Sequence, residues 1–327
     1  MLDPELSVIV PVFNESTNVG PLLERLVPVL AACAASFEVV FVDDGSTDTT
    51  LAAIRAAHAG EPRIRALGLS RNFGKEVAIA AGLDHARGAA VVIIDADLQH
   101  PPEVITAFVA RWREGYKNVY GQRAYRAGDQ PIRRFLTQHF YRLFASVGDT
   151  DLPEGAGDFR LLDAQAVVAL RNMREHVRFS KGLYAWIGFR SIGVPFEVAP
   201  RLHGEKKFDF RKLTVFALEG LVSFTTLPLR IWTYAGLAVS IVALMLAAYY
   251  LIRTLLLGID VPGYASLIVS ITFFAGIQLV SLGVIGAYVG RIFAEVKRRP
   301  LYLVEEHIGV APLVEAAQSL RPHDGWS

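Results

Sequence analysis

Two carboxylates separated by a single alanine close a short apolar run. In "VVIIDADLQH", residues 91–100, four aliphatic side chains lead straight into Asp95 and Asp97. An Asp-x-Asp loop can offer both carboxylates to one hard cation, Mg2+ or Mn2+, whose remaining positions go to water and substrate phosphates. The spacing alone is common. Here it has company, because three other apolar runs end in polar mouths: "PVFNEST" (11–17), "VDDGSTD" (42–48) and "LSRNFGK" (69–75). An Asp or Ser after a strand is often a helix cap or turn former, and Ser46 and Asp48 need be no more than that. Other chemistries are disfavoured. The first turn has no G-x-G-x-x-G, there is no G-x-x-x-x-G-K-[ST], and neither H-E-x-x-H nor paired cysteines point to zinc. The histidines show no ligand spacing; His100 reads as a loop residue beside the acidic pair, and Cys33 as a small packed side chain.

Four mouths can converge only if the runs behind them lie side by side. From Leu6 to Gln122, β-rich runs ("LSVIVPV", "FEVVFV", "IRALGL", "AAVVIID", "NVYGQ") alternate with helical patterns ("VGPLLERLVPVLAAC", "TLAAIRAAHA", "GKEVAIAAGLDHA", "PEVITAFVARWREG"). Alternation of this kind predicts an α/β domain with a mostly parallel, Rossmann-like sheet whose strands are covered on both faces. In such a sheet, ligands bind beyond the carboxyl ends of the strands.

The 327-residue chain has a formal charge of +1, which gives no field for nucleic acid, and one cysteine, which fits a reducing compartment. No signal peptide is expected, since "MLDPELSVIVPVF" carries acids where a basic segment should stand. Its hydrophobic share of 52% and mean hydropathy of +0.35 are high for a soluble enzyme. The excess lies late in the chain. Residues 231–252 and 264–290 each run without a charge and exceed the roughly 20 apolar residues that cross a bilayer. Basic residues flank the pair on one side (Arg211, Lys212, Arg230; Arg291, Lys297, Arg298, Arg299). The positive-inside rule therefore predicts two transmembrane helices with both termini in the cytoplasm. "PIRRFLTQHFYRLFASV" and "RKLTVFALEGLVSFTTLPLR" are amphipathic and read either as surface helices or as helices in the membrane interface. The expected organisation is a cytoplasmic catalytic domain over residues 1–229, two spans within 230–290, and a cytoplasmic tail over 291–327, in an inner membrane. Gly236, Gly276, Gly283, Gly286 and Gly290 give the spans small faces that suit a homo-oligomer.

Taken in order, "SVIVPVFNES", "VVFVDDGSTD", "LSRNFGKEVAIAAGLDHA", "IDADLQHPPE" and "GAGDFRLLD" resemble the successive motifs of glycosyltransferase family 2. They are most similar to its polyisoprenyl-phosphate glycosyltransferases, the bactoprenol glucosyltransferases and dolichol-phosphate-mannose synthases. "RLHGEKKFDFRKL" and the two late apolar runs fit the same subgroup, so the resemblance covers roughly Leu6 to Pro300. It implies a GT-A fold and transfer of a hexose from a nucleotide sugar, UDP-glucose first, to polyprenyl phosphate. GDP-mannose is the alternative donor, and a lipid-linked-sugar translocator or scaffold the non-enzymatic alternative. By motif, Pro11, Asn14, Glu15, Asp43 and Asp44 should hold the nucleoside, and Asp95, Asp97 and Gln99 the Mg2+ or Mn2+ and the diphosphate. Asp158 should be the catalytic carboxylate beside the acceptor, the family's usual base or else a group that orients Arg160 or the acceptor. Arg123, Arg126, Arg133, Arg134, Arg201 and Lys207 form a basic set for the lipid phosphate. Lys206 departs from the family pattern, which has a serine there.

Overall fold

The computed structural model describes residues 3–123, 156–176, 178, 180–197 and 263–310, with individual residues between 234 and 256. Its sheet and its long apolar helix belong to separate compact units.

The first unit opens as the alternation predicts. β1 (Leu6–Val12), α1 (Ser16–Cys33), β2 (Phe37–Asp43), α2 (Thr50–Gly60), β3 (Ile64–Leu69), α3 (Lys75–His85), β4 (Ala90–Ile93) and α4 (Val104–Arg113) follow one another. β2, β3 and β4 are buried at every position, because helices cover both faces of the sheet. β5 (Asn118–Arg123), β6 (Ala156–Asp163), α5 (Ala164–Asn172), α6 (Ser180–Trp186), β7 (Ser191–Phe196) and, far along the chain, β8 (Val304–Ile308) complete it. The strand order is β7-β5-β6-β4-β1-β2-β3-β8.

β1 to β4 are mutually parallel, and their order reverses between β1 and β4. Such a switch point leaves a crevice at the carboxyl ends of the two strands. Pro11 helps to open it. The β1–β4 pairing ends at Ile9↔Ile93, with Ile94 N donating to Ile9 O at 3.0 Å. The β1–β2 pairing continues to Val12↔Asp43. Residues of a parallel strand bond alternately to its two neighbours, so Pro11, like Ile9, faces β4. Its missing N–H falls where the ladder has already stopped, and a proline is tolerated in a central strand for that reason.

The second half of the sheet differs from simple alternation. β6 lies antiparallel between β4 and β5. β8 adds antiparallel to the outer edge of β3. It is fastened by Arg55 Nη2 to Glu306 at 2.6 Å and by Arg65 Nε donating to Gly309 O at 2.7 Å.

In the other unit, α7 (Tyr264–Val296) runs for 33 residues, some six residues past the predicted span. Its stretch Phe273–Val296 has a mean hydropathy of 1.7, and none of its described residues is fully buried within the protein. Leu267, Phe273, Leu279, Leu282 and Ile292 are each about 60% exposed or more. Among the described residues it is the one helix long and apolar enough to cross a membrane. The described residues of the other predicted span, Tyr234 to Ile252, are helical and exposed or partly exposed. The two amphipathic stretches lie outside the described residues.

Candidate active site

Each mouth is built from the strand behind it. After β1, Asn14 takes φ +55, a left-handed turn that asparagine tolerates. Its Oδ1 accepts from Thr47 N at 2.9 Å, and its own N–H donates to Ser46 Oγ at 2.8 Å. Glu15 N donates to Thr50 Oγ1 at 2.9 Å, and Glu15 also accepts from the Asn18 side chain. The first two mouths are thus stitched together. Asp48 does what a bland reading gives it, accepting from Thr50 N at 2.9 Å at the start of α2.

Asp43 and Asp44 are both buried, and burial pushes both above the usual carboxylate range. Asp43 accepts from the Ser46 backbone N at 3.3 Å and from the Ser46 hydroxyl. Asp44 spends both oxygens on backbone, accepting from Phe73 N at 2.7 Å and Gly74 N at 2.9 Å. It thereby fixes the loop before α3. Gly74 sits at φ +99, which favours glycine, and turns the chain so that α3 begins with Lys75.

Lys75 is the residue that sequence reasoning missed. Its Nζ lies 2.6 Å from Asp95 Oδ1 and 3.2 Å from Asp158 Oδ2. A lysine at a helix N-terminus opposes the helix dipole, and that misfit was the available signal. The two acids meet because of register. β4 and β6 pair antiparallel with Ile93↔Arg160. Carried two residues on, the same register sets Asp158 across from Asp95. Burial would lower the Lys75 ammonium, but Asp95 and Asp158 outweigh it and hold the pKa above the usual lysine range. Burial would likewise raise Asp158, but Lys75, Lys181 and Arg160 outweigh it and hold it below the usual range. Asp158 therefore stays ionised.

Behind Asp158, Arg160 is buried under the Tyr184 ring, 3.6 Å from its centroid, and Nη1 donates to Asn118 Oδ1 at 3.3 Å. Burial depresses the guanidinium and raises the Tyr184 phenol. Next to Lys75, Glu76 accepts from Ser180 N at 3.3 Å and from the Ser180 hydroxyl. Burial, and then the Asp158 charge, raise Glu76 to about 7.

In the fourth mouth, Leu98 is buried at φ +57, a backbone conformation that a branched side chain rarely adopts. That turn is closed by Gln99 N donating to Asp97 Oδ1 at 3.1 Å. Donor atoms of Asp95, Asp97 and His100 lie within 4.8 Å of one another, a set that fits a divalent cation. His100 is 4% exposed, and its Nδ1 makes no hydrogen bond among the described residues. Burial lowers its pKa.

Of the basic set, Arg123 ends β5 and is exposed. Arg126, Arg133, Arg134, Arg201 and Lys207 lie outside the described residues.

A parallel sheet with an acidic crevice at its switch point, and a carboxylate from an antiparallel strand beside it, defines an α/β transferase domain of the GT-A-like kind. The sequence comparisons agree. The profile of Glycosyl transferase family 2 matches residues 7–170. An uncharacterized glycosyltransferase of Synechocystis is 46% identical over 306 residues, covering 94% of this chain and 96% of that protein. The prophage bactoprenol glucosyl transferase homolog of Escherichia coli K12 is 40% identical over 301 residues, covering 92% and 98%. The bactoprenol glucosyl transferase of Shigella phage SfII is 40% identical over 310 residues, with the same coverage. Solved structures are more distant. Mannosyltransferase PcManGT from Pyrobaculum calidifontis, in complex with GDP-Man and Mn2+, is 20% identical. The match covers 90% of this chain and 88% of that one at a TM-score of 0.47, too loose a likeness to carry an argument about ligands. The chain belongs to glycosyltransferase family 2.

Proposed function

We propose that this chain transfers glucose from UDP-glucose to a polyprenyl phosphate at a membrane surface, with inversion at the anomeric carbon. Relatives named bactoprenol glucosyl transferase, matched along nearly their whole length, support the sugar and the acceptor. The observation that carries the chemistry is the β4–β6 junction, where Asp95 and Asp158 share the Lys75 ammonium. It supports a donor diphosphate on the Asp95 side and an acceptor on the Asp158 side, one strand apart.

In the transfer, a lipid phosphate oxygen attacks C1 of the sugar as the bond from C1 to the diphosphate oxygen breaks. The nucleoside diphosphate leaves with the bonding electrons. A divalent cation, Mg2+ or Mn2+, held by Asp95, Asp97 and Gln99, would neutralise the charge that builds on that leaving group. Pro11, Asn14, Glu15, Asp43 and Asp44 would line the nucleoside. Arg123, with Arg126, Arg133, Arg134, Arg201 and Lys207, would hold the acceptor phosphate. A phosphate monoester is already largely ionised near neutrality, with a second pKa of about 6. Asp158, held below the usual carboxylate range, is a weak base. Its role in this reading is to orient the acceptor through Lys75 and Arg160, with no proton to remove.

Two crossings, within residues 231–252 and 264–290, would hold the enzyme in the membrane. Strands on both sides of this apolar segment share one sheet: β1 to β7 precede it and β8 follows it. A chain that returns to its own sheet crosses a bilayer an even number of times. α7 can supply one crossing, and residues 231–252 would supply the other. The sheet and the tail then share the cytoplasmic side with nucleotide sugars. Gly276, Gly283 and Gly290, every seventh residue of α7 with open space about each, would suit a second copy's helix.

The test is a panel of labelled nucleotide sugars offered to the purified full chain with polyprenyl phosphate. A lipid-linked glucose from UDP-glucose, lost in Asp97→Asn and in excess chelator, is the expected result. No lipid product from any donor, or full activity in Asp97→Asn, would overturn the reading.

A further inference from the structure

The acidic pair has a third neighbour that its motif does not require. We propose that His100 ligates the divalent cation directly through Nδ1, and that this nitrogen biases the site toward Mn2+ over Mg2+. The inference rests on the metal-dependent transfer proposed above and adds a ligand to it.

Three observations converge on Nδ1. His100 is 4% exposed, yet this ring nitrogen has no hydrogen-bond partner among the described residues. A buried polar atom left unpaired is costly and calls for a reason. The ring is also oriented rather than loosely packed. It stacks on Phe159 of β6 at 5.0 Å between centroids and meets the Phe196 ring of β7 edge-on at 5.6 Å. The two aromatic contacts hold the imidazole with Nδ1 toward Asp95, 3.8 Å from Oδ2. That distance is too long for a hydrogen bond. It falls within the reach of two ligands of one ion, between the separations of about 3.0 Å for adjacent and about 4.2 Å for opposite ligands at bonds of about 2.1 Å, so binding would draw the pair into final geometry.

The division of labour on Asp95 fits the same arrangement. Lys75 takes Oδ1, and Oδ2 is the oxygen that His100 faces. The strained turn at Leu98, φ +57, has a purpose in this account, since it returns the chain so that residue 100 closes on residue 95. Mn2+ also favours oxygen, but as a d-block ion it accepts an imidazole within a mixed set, whereas Mg2+ demands near-ideal oxygen geometry and gives up its waters reluctantly. A nitrogen in the set should therefore raise Mn2+ affinity more than Mg2+ affinity.

The test uses the full chain with Mn2+ and UDP. Pulsed EPR on bound Mn2+ should show a nitrogen coupling that changes isotope pattern when the histidines are labelled with 15N. The coupling should vanish in His100→Phe, which keeps the ring packing, and in His100→Asn, which keeps a polar atom there. Mn2+ affinity should fall at least about tenfold in His100→Phe, since losing even an outer partner of a ligand costs that much, with a smaller loss for Mg2+. Mn2+ that binds without histidine nitrogen coupling, or a coupling that persists in both variants, would overturn the ligand assignment and leave the transfer reading standing. Failure of the wild-type chain to bind Mn2+ would overturn the ligand assignment, and failure to bind Mg2+ as well would overturn the metal-dependent transfer.

Discussion

Replacing Lys75 with methionine keeps most of the side-chain length and removes the charge that two acids share. The carboxylate oxygens at 2.6 and 3.2 Å from Nζ are at most about 6 Å apart, and two unit charges at that distance repel by about 3 kcal/mol at an effective dielectric of about 20. The Lys75 side chain is 43% exposed, so solvent screening reduces the cost to about 1.5 kcal/mol, or about tenfold in kcat/KM. The sign with pH follows from Asp158. Its carboxyl lies below the usual range even though burial favours the neutral form, because Lys75 and its basic neighbours outweigh burial. Without Lys75 it takes up a proton at higher pH than in the native chain, so the acidic limb of the pH–rate profile moves up. The assay is glucose transfer to polyprenyl phosphate from pH 5 to 8 in Lys75→Met and Lys75→Arg. The arginine variant should recover part of the rate and most of the profile. A methionine variant with native kcat/KM and a native acidic limb would refute the bridging role.

Three further expectations follow from other parts of the fold. Glu76, raised to about 7, binds its proton more tightly folded than unfolded. Its contribution to stability is full below about pH 4.5 and is lost as pH rises through 7, a change of roughly 1–3 kcal/mol that denaturant melts should show and Glu76→Gln should abolish. Arg123→Ala should weaken polyprenyl-phosphate use by about ten- to a hundredfold, the size of one charged hydrogen bond, and leave UDP binding unchanged. Loss of UDP binding instead would assign Arg123 to the donor. With two crossings, a cysteine at Asp260 should label from outside intact cells and one at Ser46 should not; the reverse would invert the topology.

The parallel half of the sheet was legible because β1 to β4 are mostly apolar, with only Ser7, Glu38, Asp43 and Arg65 interrupting them, and are separated by helices of ordinary period. The mouths were legible for the same reason, since polar residues after such strands stand out. β6 was not legible as a strand: Asp158 and Arg160 lie within it and break the apolar signal, although both are half-buried or buried. Asp158 could be singled out by resemblance, but its position across from Asp95 depends on antiparallel pairing with a strand far away in sequence. β8 was hidden by its composition. "VEEHI" is an edge strand whose Glu306 pairs with Arg55, while Arg65 holds the Gly309 carbonyl just after it, and no local pattern reveals either partner. His100 is a loop residue as the sequence suggests, but its burial was not legible, because it comes from Phe159 and Phe196, about 60 and 100 residues away.

The central claim is that C1 of glucose passes from a nucleoside diphosphate to a lipid phosphate by a single displacement. The direct measurement is NMR of the lipid product formed from UDP-glucose labelled at C1, with released UDP assayed in parallel. The account predicts a β-linked polyprenyl-phosphate glucose and UDP in equal amounts. An α-linked product, or labelled glucose released to water in place of the lipid, would contradict it.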